Sequence, residues 1–380
     1  MKALPRETRW VVVGAGFAGA STAWALARAG LGPGVILERE PSYGVHASGR
    51  NAALLRVAEH DAVILSLATR SAAGIRALAA DEPSLLAQTG GLTLVSAPAL
   101  PDIEAVHERS LVSGSPRTEL LSAAMTRSRF ALTGPVEFDA ALWCPDEGVV
   151  DIHALLTRFL AGARAGGFQL LTRCQAEALI VTAGRAAGVR TNAGDVTADV
   201  VVDASGAWAG RLGREGRPLP LRALRRHLFV TGRPALPTEG HPYVWVEDAA
   251  FYFRPEGDGL LFSPCDETEM PAGEPPTDPS ASELLAAKLE RHAPAFGELP
   301  LRRGWACLRT FAPDRRPLIG WDPALPGLFH VSGLGGCGMG CSVAIGELAA
   351  TLLQGRSPDW IDAASFDVGR ASSPGFDKSA

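Results

Sequence analysis

The sequence predicts an α/β protein with two domains, one built on a parallel sheet and the other on a mixed or antiparallel sheet. Residues 10–40, WVVVGAGFAGASTAWALARAGLGPGVILERE, have the pattern of a strand, a glycine turn, a helix and a second strand that ends on an acid. Similar material returns after Asp146, with the helical segment DIHALLTRFLAGARAGG and the buried strand ADVVVD. Between Arg217 and Gly304, the short aromatic segments HLFVTG, YVWVED, AFYFRPE and GLLFSPC are typical of an antiparallel sheet.

These patterns place each domain on more than one segment of the chain. We expect the parallel-sheet domain to comprise residues 1–85, 146–215 and 305–365, and the second domain to comprise residues 86–145 and 216–304. The last residues, 366–380, are polar and predict a flexible tail.

Composition excludes several classes of function. The 380 residues carry a formal net charge of −5 and no run of Lys or Arg, so we do not expect nucleic-acid binding. The six cysteines form no CxxC pair, which argues against a zinc site or a disulfide framework, and no metal site is predicted. The N-terminus lacks the pattern of a signal peptide, and glycines interrupt the apolar stretch Val331–Leu353, so we expect a cytoplasmic protein without stable membrane insertion. The oligomeric state is not predicted.

The first glycine turn has the pattern of a dinucleotide-binding site. Gly14, Gly16 and Gly19 form GxGxxG between a strand and a helix, and Glu38 follows at the end of the next strand. Gly14 allows the tight turn, Gly16 lets the backbone approach a pyrophosphate, and Gly19 lets the helix pack closely on the strand. Glu38 can accept hydrogen bonds from ribose hydroxyls and disfavours a 2′-phosphate, so NADP is not expected. The motif alone leaves NAD and FAD open.

The segment HASGRNAALLR, His46–Arg56, resembles the flavin-contacting loop of the D-amino acid oxidase superfamily of FAD enzymes, which includes glycine oxidase, sarcosine oxidase and D-arginine dehydrogenase. The resemblance continues, in the family's order, through ADVVVDASGAWAG, AFYFRPE, CLRTFAPDRRPLIGW and GLFHVSGLGGCGMGCSVAIGELAATLL. It implies a Rossmann-type FAD-binding domain, an α+β substrate domain and FAD as the cofactor.

The resemblance also implies which residues contact FAD. The glycines from Gly335 to Gly340 look like the family's last flavin loop, whose N–H groups would stabilise negative charge on the reduced ring. The implied cofactor-binding residues are Gly14, Gly16, Phe17, Ala18, Gly19, Glu38, Arg39, Ser48, Gly49, Arg50, Asn51, Ala52, Ala53, Ala178, Gly206, Gly335, Gly336, Cys337, Gly338, Met339 and Gly340.

The implied reaction is oxidation of a C–N bond, in which the amine carbon gives a hydride to flavin N5 and water hydrolyses the imine. Arg309 and Tyr252 fall where the family's carboxylate-binding Arg and Tyr lie, and they are the predicted catalytic pair. The predicted substrate pocket contains Leu54, Arg56, Gly91 and Gly336.

A pocket with Leu54 and Gly91 suits glycine, an N-substituted glycine or a neutral D-amino acid, while Arg56 could meet a second carboxylate. Oxygen or a quinone-type carrier is the expected electron acceptor. Oxidation of a 2-hydroxy acid and a non-catalytic flavin-binding role remain open as alternatives.

Two further expectations concern the surroundings of the flavin. Cys307 lies where sarcosine oxidases with covalent flavin have their linking cysteine, but we expect noncovalent FAD, with a link through Cys307 as the alternative. The segment Leu54–Asp61 is a predicted lid over the pocket, and His46 and His227 are expected to be structural.

Overall fold

The computed structural model describes residues 3–113, 116–212 and 218–372. Within these residues the chain forms eight α-helices: α1 (Phe17–Arg28), α2 (Ala62–Ala80), α3 (Leu100–Ser113), α4 (Ala123–Arg129), α5 (Ile152–Ala165), α6 (Pro279–His292), α7 (Pro294–Gly297) and α8 (Ser342–Leu353). The same residues form the strands β1 (Glu7–Val13), β2 (Gly34–Leu37), β3 (Leu54–Leu55), β4 (Leu86–Ala87), β5 (Gly91–Val95), β6 (Glu119–Ser122), β7 (Ala140–Cys144), β8 (Gly148–Val150), β9 (Phe168–Leu171), β10 (Ala176–Thr182), β11 (Arg185–Thr191), β12 (Gly194–Asp203), β13 (Arg222–Thr231), β14 (Tyr243–Val246), β15 (Phe251–Glu256), β16 (Gly259–Ser263), β17 (Thr268–Glu269), β18 (Leu301–Phe311), β19 (Leu318–Trp321) and β20 (Leu328–Ser332). The predicted α/β class is confirmed.

The first sheet has the order β10-β11-β12-β1-β2-β9, and β20 joins it beside β12. Its central strands are parallel, with β1 between β12 and β2. Residues of β1 alternate between two cores: Trp10 and Val12 face α1, α5 and α8, whereas Val11 and Val13 face a cluster supplied largely by β10, β11 and β12. Burial on both faces explains the continuous apolar run in the sequence.

Close contacts between helices fix the helical layer. A Cβ atom at Gly346 of α8 would lie 2.4 Å from the carbonyl oxygen of Ser21 in α1, so only glycine allows this approach. Helix α2 is long and apolar enough to cross a membrane by length and composition alone. In the structure, however, it packs against α8, where Ser71 Oγ accepts a hydrogen bond from the Ala344 N–H.

The second sheet has the order β17-β13-β16-β15-β14-β5-β7-β6, and β18 pairs with β13. All these pairs are antiparallel except β14 with β5. Strand β18 pairs with β13 from Leu301 to Phe311, so the boundary predicted at residue 305 falls inside a strand of this sheet. That position could not be read from the sequence because the first half of β18 is exposed and the second half is buried.

Strands β3, β8 and β4 form a small third sheet, which joins segments predicted for different domains. Leu54 pairs with Val149, and Leu86 pairs with Val150. This sheet holds Leu54 beside the turn that carries Glu147. Leu54 forms part of the wall of the larger of the two cavities described below.

Candidate functional site

A cavity of about 350 Å³ lies at the carboxyl ends of β1, β2 and β12, and we call it the strand-end cavity. Gly14 follows β1 with φ of +104°, and a Cβ atom there would lie 2.5 Å from the carbonyl oxygen of Ala204. The backbones that follow β1 and β12 therefore approach each other as closely as glycine permits. Ligands of parallel sheets bind at this edge.

Glu38 enters the strand-end cavity from the end of β2. One of its carboxylate oxygens accepts a hydrogen bond from the Ala15 N–H at 3.1 Å, and the other accepts from the Glu40 N–H at 2.9 Å. Main-chain donors thus fix the carboxylate next to the glycine turn, as a ribose-binding acid requires.

The N-terminus of α1 meets the loop that contains Ser48. The Phe17 N–H donates a hydrogen bond of 3.0 Å to Ser48 Oγ, and a Cβ atom at Gly16 would lie 2.8 Å from the same oxygen. Gly16 and Ser48 line both this cavity and the larger one described next. A phosphate bridge between the two cavities would therefore meet the positive end of the α1 dipole.

Aromatic and basic side chains close the far side of the strand-end cavity. The Arg39 guanidinium carbon lies 3.5 Å from the centroid of Trp208, and His46 packs on the same indole. Glu40 binds both Arg39 and His46, and its hydrogen bond with His46 is the main cause of its lowered pKa. His46 thus contacts Arg39, Glu40 and Trp208 in the wall of this cavity.

A cavity of about 610 Å³ lies where the two large sheets meet, and we call it the large cavity. Its lining includes the loop from Gly335 to Gly340 and residues of β15 and β18. The main-chain N–H groups of Gly336, Gly338, Met339 and Gly340 make no hydrogen bond to the rest of the described chain. A flat polar ring with acceptor atoms along one edge would satisfy these donors.

Arg309 and Tyr252 come together in the large cavity. Arg309 Nη2 lies 3.4 Å from the hydroxyl oxygen of Tyr252, and no carboxylate of the described residues forms an ion pair with Arg309. Burial opposes the guanidinium charge, but Tyr252 and Cys307 outweigh it and raise the Arg309 pKa. A Cβ atom at Gly336 would lie 3.1 Å from Arg309 Nη1, so glycine leaves room for the guanidinium. The cavity therefore contains a partly buried cation without an anionic partner among the described residues.

Most of the predicted site residues line one of the two cavities, but three do not. Gly19 and Gly49 are packing positions, since a Cβ atom at either would lie 2.0 Å from a carbonyl oxygen, that of Gly14 or Gly44. Gly91 lies outside the cavity lining because the Glu147 carboxylate occupies the space in front of it, 2.0 Å from where a Cβ atom would lie. The remaining predicted cofactor and substrate residues line the cavities.

Sequence reasoning missed several side chains of the large cavity. Trp245 stacks on Tyr252 with ring centroids 5.0 Å apart, and Glu267 binds both Arg226 and Arg315. Behind the cavity lining, buried Glu147 accepts hydrogen bonds from the Val57 and Ala58 N–H groups and from the Tyr243 hydroxyl. No local motif marks these residues, because each depends on contacts between distant strands.

Cys307 lines both cavities and is almost fully buried. Burial raises the pKa of its thiol, although Arg309 acts in the opposite direction. The predicted lid, Leu54–Asp61, is anchored at its centre by the bonds from Val57 and Ala58 to Glu147, and its opening stays a prediction. His227 is fully buried and pairs with Asp266, outside the cavity lining.

The family described as FAD dependent oxidoreductase (DAO) matches residues 9–352. The chain belongs to this family. FAD is therefore its cofactor, and the donor set fits that group: two backbones meet at Gly14, an oriented acid follows β2, and free N–H groups line the large cavity. Among the described residues, no group of His, Cys, Asp or Glu could hold a metal ion.

Relatives of this chain include two mitochondrial proteins. The chain is 26% identical to mouse sarcosine dehydrogenase, in an alignment that covers 97% of the chain. It is 25% identical to the mouse pyruvate dehydrogenase phosphatase regulatory subunit, in an alignment that covers 92% of the chain. It spans about 42% of the first of these relatives and 41% of the second.

Solved structures show the same fold. L-proline dehydrogenase from P. horikoshii superimposes with a TM-score of 0.87 at 22% identity, covering 97% of this chain and 99% of that one. Glycine oxidase from Geobacillus kaustophilus gives a TM-score of 0.81 at 22% identity, covering 96% and 99%. These matches confirm the predicted combination of an FAD-binding domain with a second sheet.

Proposed function

We propose that this FAD-dependent oxidoreductase oxidises the C–N bond of a small amino acid whose carboxylate binds Arg309 and Tyr252. The observation that carries the proposal is the partly buried Arg309 guanidinium, which has no carboxylate partner among the described residues and lies beside both the Tyr252 hydroxyl and Gly336 of the open glycine loop. A carboxylate is the ligand that a fork of guanidinium N–H groups and a phenol O–H select together.

Binding the carboxylate fixes the rest of the substrate. Arg309 donates to one or both carboxylate oxygens and Tyr252 donates its O–H, so the neighbouring amine carbon is held in one orientation. Trp245 stacks on Tyr252 and keeps the phenol from rotating away. FAD, when bound, supplies the hydride acceptor for this carbon.

The amine reacts in its neutral form. Nearby guanidinium groups disfavour a second positive charge, so the cavity lowers the pKa of a bound ammonium group. Two carboxylates of the described residues line the large cavity, and both lie beside guanidinium groups. Glu267 is engaged by Arg226 and Arg315, and Glu59 lies 3.7 Å from Arg56. Proton loss therefore occurs on binding rather than by transfer to a dedicated base.

The experiment is anaerobic titration of the FAD-loaded protein with glycine, sarcosine, longer N-carboxymethyl amines, and D- and L-amino acids. Loss of the oxidised flavin absorbance with one group supports the proposal and identifies the substrate class. Reoxidation by oxygen, compared with a quinone analogue, then identifies the acceptor.

Two other functions predict different results in the same titration. A 2-hydroxy acid could use the same carboxylate site, and it would bleach the flavin where no amine does. The second function is flavin binding without turnover, and it is motivated by the relative described as a regulatory subunit. For such a protein, no compound in the titration would bleach the flavin.

A further inference from the structure

A second guanidinium, that of Arg56, faces the large cavity with its donors unused. The side chain is 16% exposed and makes no hydrogen bond within the described chain, and its Nε is fully buried without a partner. Its contacts with carboxylates are loose: Nε lies 3.7 Å from Glu59 and Nη2 lies 3.6 Å from Glu247. A buried N–H donor of this kind is costly unless a ligand supplies an acceptor.

Aromatic packing places Arg56 at a defined distance from the carboxylate-binding pair. Its guanidinium carbon lies 4.5 Å from the centroid of Trp245, whose ring is 5.0 Å from that of Tyr252. The guanidinium therefore lies within about 10 Å of the Tyr252 ring, given ordinary stacking distances. One small molecule can reach both sites.

We propose that Arg56 binds a second carboxylate of the substrate, so that the preferred substrate is a dicarboxylic amine such as an N-carboxyalkyl amino acid. This inference rests on the proposed function, because Arg309 and Tyr252 hold the first carboxylate. The two carboxylates lie at opposite ends of the substrate and the reacting C–N bond lies between them.

Two acidic side chains, Glu59 and Glu247, lie next to Arg56 and affect how it can bind a ligand. Glu247 also contacts His60 at 3.4 Å, and its Oε2 atom has no hydrogen-bond partner. Burial raises the pKa of Glu59, with Arg56 acting in the opposite direction. Glu59 and Glu247 both lie close enough to compete with a ligand for Arg56. Glu59 also lines the large cavity, so removing its charge should strengthen the binding of a second carboxylate.

The test uses two sulfur analogues that cannot lose an amine hydride, thiodiacetate and (methylthio)acetate, which differ by one carboxylate. Calorimetric titration of the FAD-loaded protein should show thiodiacetate binding at least about ten-fold more tightly. Arg56→Met should abolish most of this preference, and Glu59→Gln should increase it. Arg70→Met is the matched control, since Arg70 also packs over a tryptophan, Trp360, and pairs with an acid, Glu347.

Each other outcome has one meaning. Equal binding of the two analogues by the wild-type protein overturns the proposal, as does an Arg56→Met variant that weakens both equally. Binding of neither analogue, with FAD retained, contradicts the carboxylate site at Arg309 instead. If Arg56→Met does not fold, Arg56→Lys replaces it in the test, because this change removes the planar fork and keeps the charge. An unchanged preference for thiodiacetate in both Arg56→Lys and Glu59→Gln overturns the proposal.

Discussion

The strand-end cavity is made mainly of backbone, whereas the large cavity is made by side chains from distant strands. Around the first, Gly14 and Gly16 bring main-chain groups together, and Glu38 is itself held by two main-chain N–H groups. In the second, Arg309 of β18 and Tyr252 of β15 meet across a sheet. Cofactor binding should therefore depend on local backbone geometry, and substrate selection on individual side chains.

The largest expected effect is at Gly14. Gly14→Ala places a Cβ atom 2.5 Å from the Ala204 carbonyl at a φ of +104°, which should weaken FAD binding by about 100-fold or more. Flavin absorbance per mole of purified protein measures this. The matched control is Gly30→Ala, which also has a positive φ but has nothing within 4 Å, and it should cost about 1 kcal/mol of stability while retaining FAD. Equal loss of FAD from both variants would show that strain, not close approach, determines binding.

The next effect is at Arg309. Arg309→Met should retain stoichiometric FAD and lower kcat/KM for the substrate by about 1000-fold, because a buried charge-assisted contact and its positioning are both lost. Tyr252→Phe should lower it by about ten-fold, since one neutral hydrogen bond is lost. Anaerobic stopped-flow reduction measures both variants. Arg303→Met, an exposed change on the same strand, is the control and should behave as the wild type.

A smaller effect is expected at His330, which lies between two aspartates in the parallel-sheet domain. His330 is fully buried, 2.9 Å from Asp322 and 3.5 Å from Asp203. Asp203 in turn accepts hydrogen bonds from Ser205 and Gly210, in the segment that follows β12. Burial lowers the pKa of His330, but the bonds and charges of the two aspartates outweigh it, and the net shift is upward from 6.5.

Because the folded pKa lies above the unfolded one, this histidine stabilises the fold fully below about pH 6.5 and loses its contribution as pH rises through the folded pKa. The Tm difference between the wild type and His330→Asn should therefore be largest near pH 6 and shrink towards pH 9. The exposed His153→Asn should show no such trend. A Tm difference that grows with pH would contradict this assignment.

The smallest effect is expected at Cys307. Its raised thiol pKa keeps it protonated and a poor nucleophile, so FAD should be released into the supernatant on acid precipitation. Cys307→Ser should leave the FAD content unchanged. Yellow colour that stays in the wild-type pellet and is lost in the variant would establish the covalent link instead.

The same contrast explains how much could be predicted from the sequence. The βαβ start, Gly14, Gly16 and Glu38 lie close together in the chain, so their spacing was enough to predict the parallel sheet and a dinucleotide site. The choice of FAD over NAD came from family resemblance. Arg309 and Tyr252 came from family resemblance, and the structure brings them within hydrogen-bonding distance. Glu147 could not be found, because it fills the space before Gly91 only when β5, β14 and the turn after β7 pack together. For the same reason Gly91 was assigned to the pocket.

The most direct test of the central claim is a titration of the FAD-loaded protein with (methylthio)acetate and with its amide, followed by the flavin absorbance spectrum. The account predicts a saturable spectral change with the carboxylate, little change with the amide, and loss of the carboxylate response in Arg309→Met with FAD still bound. Equal responses to carboxylate and amide, or an unchanged response in Arg309→Met, would contradict it.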